Sequence, residues 1–235
     1  MIPFHANPLG LGKLDIPNSD LLTHYWDGRH GTAEEWPDLI GDAHMLAVSQ
    51  AGSSPIYDAA GRYYTTIPAS TEVACGYMAT AKAYPHMVTV NTSMVCVVDT
   101  TAEIASFACF FVQGETNSTR TIMRYRSSAS AYQCLPSGDA TTSRGKHIVI
   151  LRVRAANQTA SVYSATGALL RTMTYNGAHP GIPAGRMGTL GVRAAADNDC
   201  SSKSRVHALA HYNTYLDDSQ VASIVQWANH TFYTP

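Results

Sequence analysis

A strand running straight into a capped helix closes this chain, and no other stretch restricts the fold as much. Residues 205–212 have strand composition, and the helix signals follow at once. Asp217 sits at the N-cap, where its carboxylate can accept free N–H groups of the first turn. Gln220, three residues on, completes a capping box, and Leu216 with Val221 supplies the hydrophobic staple. Val221, Ile224, Val225 and Ala228 then recur at i, i+3, i+4 and i+7, one apolar stripe made to lie on something flat. It is the only convincing amphipathic helix in the sequence, so the rest must fold by other means.

That means is β-structure. Runs rich in β-branched and aromatic residues, each of strand length, occupy 74–80, 86–91, 94–99, 107–113, 120–126 and 131–134. The clearest hairpins are His147–Arg154, Thr159–Tyr163 and Ala168–Tyr175, with turns at 155–158 and 164–167 where Gly167 can take positive φ. A spacing of roughly 8–12 residues per strand is that of an antiparallel sandwich. Short apolar pieces broken by Gly, Asp and Pro fill 21–70, and a loop-rich region at 176–200 surrounds one strand at 187–193. The expected class is all-β: a two-sheet antiparallel sandwich with one short C-terminal helix.

At 235 residues the chain suits one large sandwich, and no second boundary or repeat shows. The expected division is an extended arm over 1–20 and a sandwich over 21–235. Three prolines deny the arm regular structure, yet Ile2, Phe4, Leu9, Leu11, Leu14 and Ile16 make it too apolar to float free. It is expected to lie on its own domain or to lock a neighbouring subunit in a homo-oligomer.

Charged residues make up 14% and the net charge is −1, with basic residues scattered, which argues against nucleic acid as a partner. No apolar run reaches the ~18 residues of a membrane span. The first residues lack the basic and apolar regions of a signal peptide. Five cysteines, odd in number and without a CxxC pair, are expected to be reduced and buried.

Two stretches carry a resemblance. Tyr212-Asn213-Thr-Tyr-Leu216-Asp217-Asp218-Ser-Gln220-Val221, after a strand and opening a helix, is similar to the closing element of laminin-G-like, concanavalin-A-like jelly rolls. This resemblance implies that the expected sandwich is of the jelly-roll kind. The order Trp26-Asp27-Gly28, then Trp36-x-Asp38-x-x-Gly41-x-x-His44-x-Leu46, then Pro55-x-Tyr57-Asp58 resembles the opening of such modules in phage tail and minor virion proteins. The chain departs from that family in its last strand, where His207 and Ala208 stand in place of an acidic pair.

The function expected from these features is a non-catalytic virion component of a tailed phage, tail-associated or head-decorating, made in the host cytoplasm and partnered with other virion subunits. An alternative is a carbohydrate- or receptor-binding module, with Trp26, Trp36, Tyr63, Tyr64 or Tyr132 stacking on a sugar ring. A second alternative is a glycoside hydrolase. That chemistry needs two carboxylates about 5–10 Å apart, and Glu103 with Glu115 is the pair that neighbouring strands would bring together. No G-x-S-x-G elbow is present. No cofactor is expected except calcium, for which Asp197 and Asp199 offer hard oxygens in a loop. His207 and His211 share one strand face by parity, but four residues of strand span about 13 Å, too far for one zinc ion with bonds near 2 Å.

Overall fold

The computed structural model describes residues 14–49, 54–65, 76–80, 91–102, 107–113, 121–126, 129–135, 138–154, 157–176, 188–190 and 204–234. The expected class holds: two antiparallel sheets and one short C-terminal helix. In chain order the strands are β1 (Leu22–Asp27), β2 (Glu35–Trp36), β3 (Met45–Val48), β4 (Ile56–Asp58), β5 (Tyr63–Thr65), β6 (Tyr77–Thr80), β7 (Thr92–Asp99) and β8 (Phe107–Gln113). Then come β9 (Thr121–Arg126), β10 (Ala131–Leu135), β11 (Gly138–Thr141), β12 (Lys146–Val153), β13 (Gln158–Ser164), β14 (Leu169–Tyr175), β15 (Gly188–Leu190) and β16 (Arg205–Tyr212), before helix α1 (Asp218–Ala228).

Sheet A runs β14-β13-β12-β7-β16, and the far edge of β16 is shared by β1 and by the β5-β4 pair. Sheet B runs β11-β10-β9-β8-β15-β6-β3-β2. One apolar cluster fills the space between them, with Met94, Cys96 and Leu151 from sheet A against Phe110, Tyr125 and Tyr132 from sheet B. A second cluster lies on the opposite face of sheet A. There Val95, Val97, Ile148 and Ile150 meet Val221, Ile224, Val225 and Ala228 of α1.

Sheet A is therefore the middle layer of three. Every described residue of β7 is buried, and its apolar run is continuous because both faces are covered. The helix is built as its sequence requires. Asp217 accepts from the Gln220 amide at 2.8 Å, and Gln220 reaches back to the Asp217 amide at 2.9 Å. Asp217→Ala is expected to lower stability by removing the cap, read as a downward shift of the urea midpoint at unchanged slope; no shift would mean packing alone holds the helix.

Two glycines are dictated by backbone. Gly167 closes the β13–β14 turn at φ +86°, and a Cβ on Gly28 would collide with the Arg62 carbonyl oxygen. Within the arm, Leu14 and Ile16 lie on the chain's own helix-side cluster, while Ile2, Phe4, Leu9 and Leu11 fall outside the described residues. Cys96 and Cys134 are reduced thiols buried between the sheets. Burial pushes the Cys134 thiol up to about 12, so it is inert as a nucleophile.

Candidate functional site

Helix α1 and the segment before β1 cover much of the outer face of sheet A, which directs attention to the outer face of sheet B. Along β9 and β10, Met123, Tyr125, Tyr132 and Cys134 point into the inter-sheet core. Strand alternation then sends Arg124, Arg126 and Gln133 outward, with Asp139 of β11 beside them. Register aligns Arg124 with Gln133 and Gln133 with Asp139 across three strands. Arg124 Nε donates to Gln133 Oε1 at 2.6 Å, Gln133 Nε2 donates to Asp139 Oδ1 at 2.7 Å, and Arg126 Nη1 donates to Asp139 Oδ2 at 2.9 Å. Arg124 and Gln133 are buried, whereas the side chains of Arg126 and Asp139 keep 31% and 34% of their exposure. The result is a fixed polar ladder of guanidinium, amide and carboxylate with an accessible end. Such groups suit a polyhydroxylated ligand, since each presents paired donors or acceptors in one plane.

The aromatic candidates mostly turn inward. Trp26, Trp36, Tyr64 and Tyr132 are at most 1% exposed, so none has a face for a sugar. Three polar ends are spent inside: Trp26 Nε1 on the Ala43 carbonyl, the Tyr64 hydroxyl on the Thr32 and Glu35 carbonyls, and the Tyr132 hydroxyl on His147 Nδ1, while Trp36 Nε1 is buried without a hydrogen-bond partner among the described residues. Tyr63 is half-buried with its hydroxyl on Asp58 and the Arg205 guanidinium 5.1 Å from its ring centre. Glu103, Glu115, Asp197 and Asp199 lie outside the described residues. Among the described residues, no three His, Cys, Asp or Glu side chains come together as a metal site.

One acidic pair does form. Arg29 Nη2 donates to both Asp15 and Asp27, at 2.8 and 2.5 Å, which brings two carboxylates to one guanidinium, and paired carboxylates are what glycoside hydrolysis uses. The chemistry does not follow from the pairing. The hydrogen bonds from Arg29 hold the Asp15 carboxyl below its usual range, so it carries no proton to give at neutral pH. Asp27 is fully buried under the Tyr25 hydroxyl. The trio ties the segment before β1 to the sheet, alongside Phe232 stacked on Arg29.

Asp38 is a second buried carboxylate. It accepts backbone N–H groups from Tyr25, Ile40 and Ala43, and His24 Nδ1 at 2.6 Å. Burial alone would push its carboxyl up, but the hydrogen bond and charge of His24 with the backbone donors hold it below the usual range. Gly41 leaves no space for a Cβ, which would sit 2.8 Å from Asp38 Oδ2. His44 Nδ1 accepts the Asp38 amide. The Trp-x-Asp-x-x-Gly-x-x-His spacing is thus a loop folded around one carboxylate.

The two strand histidines do not share a face. A bulge between Val206 and Ala208 breaks the alternation of β16. His207 packs against Tyr63, Phe232 and Tyr233, while His211 lies beside His24. Thr23 Oγ1 donates to the His211 carbonyl and accepts from the His211 Nδ1–H at 2.8 Å. Its Nε2 is then a bare, buried acceptor without a hydrogen-bond partner among the described residues. Burial drives His207 down to about 4 and His211, with His24 adding to the effect, down to about 3.

The sequence matches no protein-family model and no curated protein. Solved structures do match. A sialidase of Trypanosoma rangeli superposes with a TM-score of 0.63 at 12% identity, covering 92% of this chain and 34% of its own. The same enzyme in complex with sialic acid gives 0.58 at 12% identity, covering 97% and 36%. A GH54 α-L-arabinofuranosidase gives 0.56 at 14% identity, covering 83% and 50%. The chain therefore spans about a third of the sialidase and half of the arabinofuranosidase. Both neighbours are glycoside hydrolases, which overturns the expectation of a tailed-phage virion subunit, for which no match speaks. At these identities the likeness establishes the fold, a β-sandwich also present in carbohydrate-active enzymes.

Proposed function

We propose that this chain is a carbohydrate-recognising sandwich that holds a glycan on the outer face of sheet B. The observation that carries the reading is the Arg124–Gln133–Asp139–Arg126 ladder. It stands on a sheet whose inner face is rigidly packed, so its donors and acceptors are held in place before a ligand arrives. The sialidase and arabinofuranosidase neighbours support carbohydrate as the ligand class.

Hydrolysis is the second reading, favoured by the same neighbours. It requires a proton-donating carboxyl beside a second carboxylate. The buried Asp27 and the Arg29-bound Asp15 do not meet that requirement, which leaves Glu103 and Glu115 as the residues to test.

One set of titrations separates the two. Wild-type protein is titrated with arabino-oligosaccharides, sialyllactose and neutral gluco-oligosaccharides, and incubated with a nitrophenyl arabinofuranoside. Recognition without turnover is expected. Arg126→Ala and Asp139→Asn should each weaken binding about tenfold, the worth of one charge-assisted hydrogen bond. Ser223→Ala, on the exposed side of α1, should leave it unchanged. Turnover abolished by Glu103→Gln or Glu115→Gln would select hydrolysis. Binding indifferent to Arg126 and Asp139 would place the ligand elsewhere.

A further inference from the structure

The outer face of sheet A is covered by α1 only in part. Beyond it lie Thr159 of β13 and Thr172 and Thr174 of the edge strand β14, with Thr159 in register with both Arg152 and Thr174. At the end of this hydroxyl-bearing strip, two guanidiniums share one aromatic ring. Arg154 lies 3.7 Å and Arg152 5.1 Å from the centre of Tyr215. Residues two apart on a strand point the same way, so both forks stand side by side above the sheet.

The two arginines are in different states. Arg152 is nearly buried, with 11% of its side chain exposed; its Nη1 donates to the Leu216 carbonyl and to Asp218, and its Nε is buried without a hydrogen-bond partner among the described residues. Arg154 is exposed and makes no ion pair among the described residues. It rests against the Tyr215 ring while remaining open to solvent. The neighbouring acids are accounted for: Asp217 is spent on the Gln220 amide and the Ser219 hydroxyl, and Asp218 on Arg152. The capping box already takes up the Gln220 and Asp217 amides at the start of α1.

The geometry points to a second ligand site here, a clamp for an oxyanion carried on a glycan, in which Arg154 grips a carboxylate or sulfate and Arg152 closes on it. A guanidinium pre-positioned on an aromatic ring loses less freedom on binding than a mobile lysine and presents paired donors to two oxygens. The hydroxyls of Thr159 and Thr174 lie along the strip where the sugar ring would rest. This inference takes carbohydrate as the carrier from the reading above, but the clamp itself is independent of the sheet B ladder. Asp218 is a competitor in it. Removing its charge frees Arg152 Nη1 and removes a like charge from the anion's surroundings.

Affinity electrophoresis at low salt through gels containing polygalacturonate, dextran sulfate or neutral dextran tests it. Wild type should be retarded by at least one charged polymer, and comparing the two distinguishes carboxylate from sulfate. Arg154→Ala should weaken that retardation about tenfold, and Asp218→Asn should strengthen it several-fold. Neither should change behaviour in neutral dextran. In an Arg126→Ala background, Arg154→Ala should still weaken the charged-polymer retardation by the same factor, so a failure of the ladder reading would not be mistaken for a failure of the clamp. The inference is overturned if wild type runs alike in all three gels, or if Arg154→Ala is retarded like wild type. It is also overturned if Asp218→Asn weakens retention, because that would make the acid a binding group.

Discussion

Asp38→Ala is expected to lower unfolding free energy by about 4 kcal/mol, the sum of several buried donors left without an acceptor. The carboxylate is 0% exposed and accepts the Tyr25, Ile40 and Ala43 amides as well as His24. These donors belong to β1 and to the loop between β2 and β3, so one side chain fastens a strand of sheet A to a connection in sheet B. Alanine leaves each of those N–H groups in a dry site. An asparagine in its place would keep one oxygen but turn an NH2 toward existing donors, so Asp38→Asn should recover less than half of the loss. Urea denaturation followed by tryptophan fluorescence measures both. A loss under about 1 kcal/mol for Asp38→Ala would mean that water reaches the site and that the loop is not fastened as described.

Acid is expected to destabilise the protein well above the carboxylate range. His207 and His211 are driven down to about 4 and about 3 in the folded protein, against about 6.5 when unfolded. A histidine of lowered folded pKa is neutral in the fold while the unfolded chain takes up a proton. Between pH 6.5 and about 4 the unfolded state therefore binds more protons, and stability rises with pH across that window. Its contribution is complete above pH 6.5 and gone once both folded groups are protonated. At about 1.4 kcal/mol per pH unit, the two histidines together are worth on the order of 5–8 kcal/mol. Asp38, Asp15 and Asp217, with lowered folded values, lose their contributions only below the usual carboxylate range, which separates the two effects. Unfolding free energies measured from pH 7 to 4.5 should fall with a slope near two protons. In the variant carrying His207→Phe and His211→Asn, most of that slope should vanish. An unchanged slope would show that these histidines are solvated.

The helix was legible because its signals are local: the Asp217–Gln220 box and the Val221, Ile224, Val225, Ala228 stripe depend only on neighbours along the chain. The β12–β13–β14 meander was legible for the same reason, from apolar runs punctuated by turns and Gly167. What failed is non-local. Parity placed His207 and His211 together, but the bulge beside Val206 is set by pairing with β7, more than a hundred residues earlier in the chain. Trp26, Trp36, Tyr64 and Tyr132 have the composition of sugar-stacking residues, and only the sheet register shows that they face the core. The ladder on sheet B left a trace, since Arg124 and Arg126 sit two apart in a strand. Its meaning needed Gln133 and Asp139 from the next two strands. Asp38 lay inside a spacing that resembled a family opening, yet its role as a fastening carboxylate depends on the Tyr25 amide and the His24 ring contributed from β1.

The central claim is that a glycan rests on the outer face of sheet B against the polar ladder. Backbone amide chemical shifts, followed as the tightest-binding oligosaccharide of the panel is added, test it most directly. The largest shifts are expected on β9, β10 and β11, at Arg124, Arg126, Gln133 and Asp139, with α1 unmoved. Saturable binding whose shifts leave those three strands untouched would contradict the account.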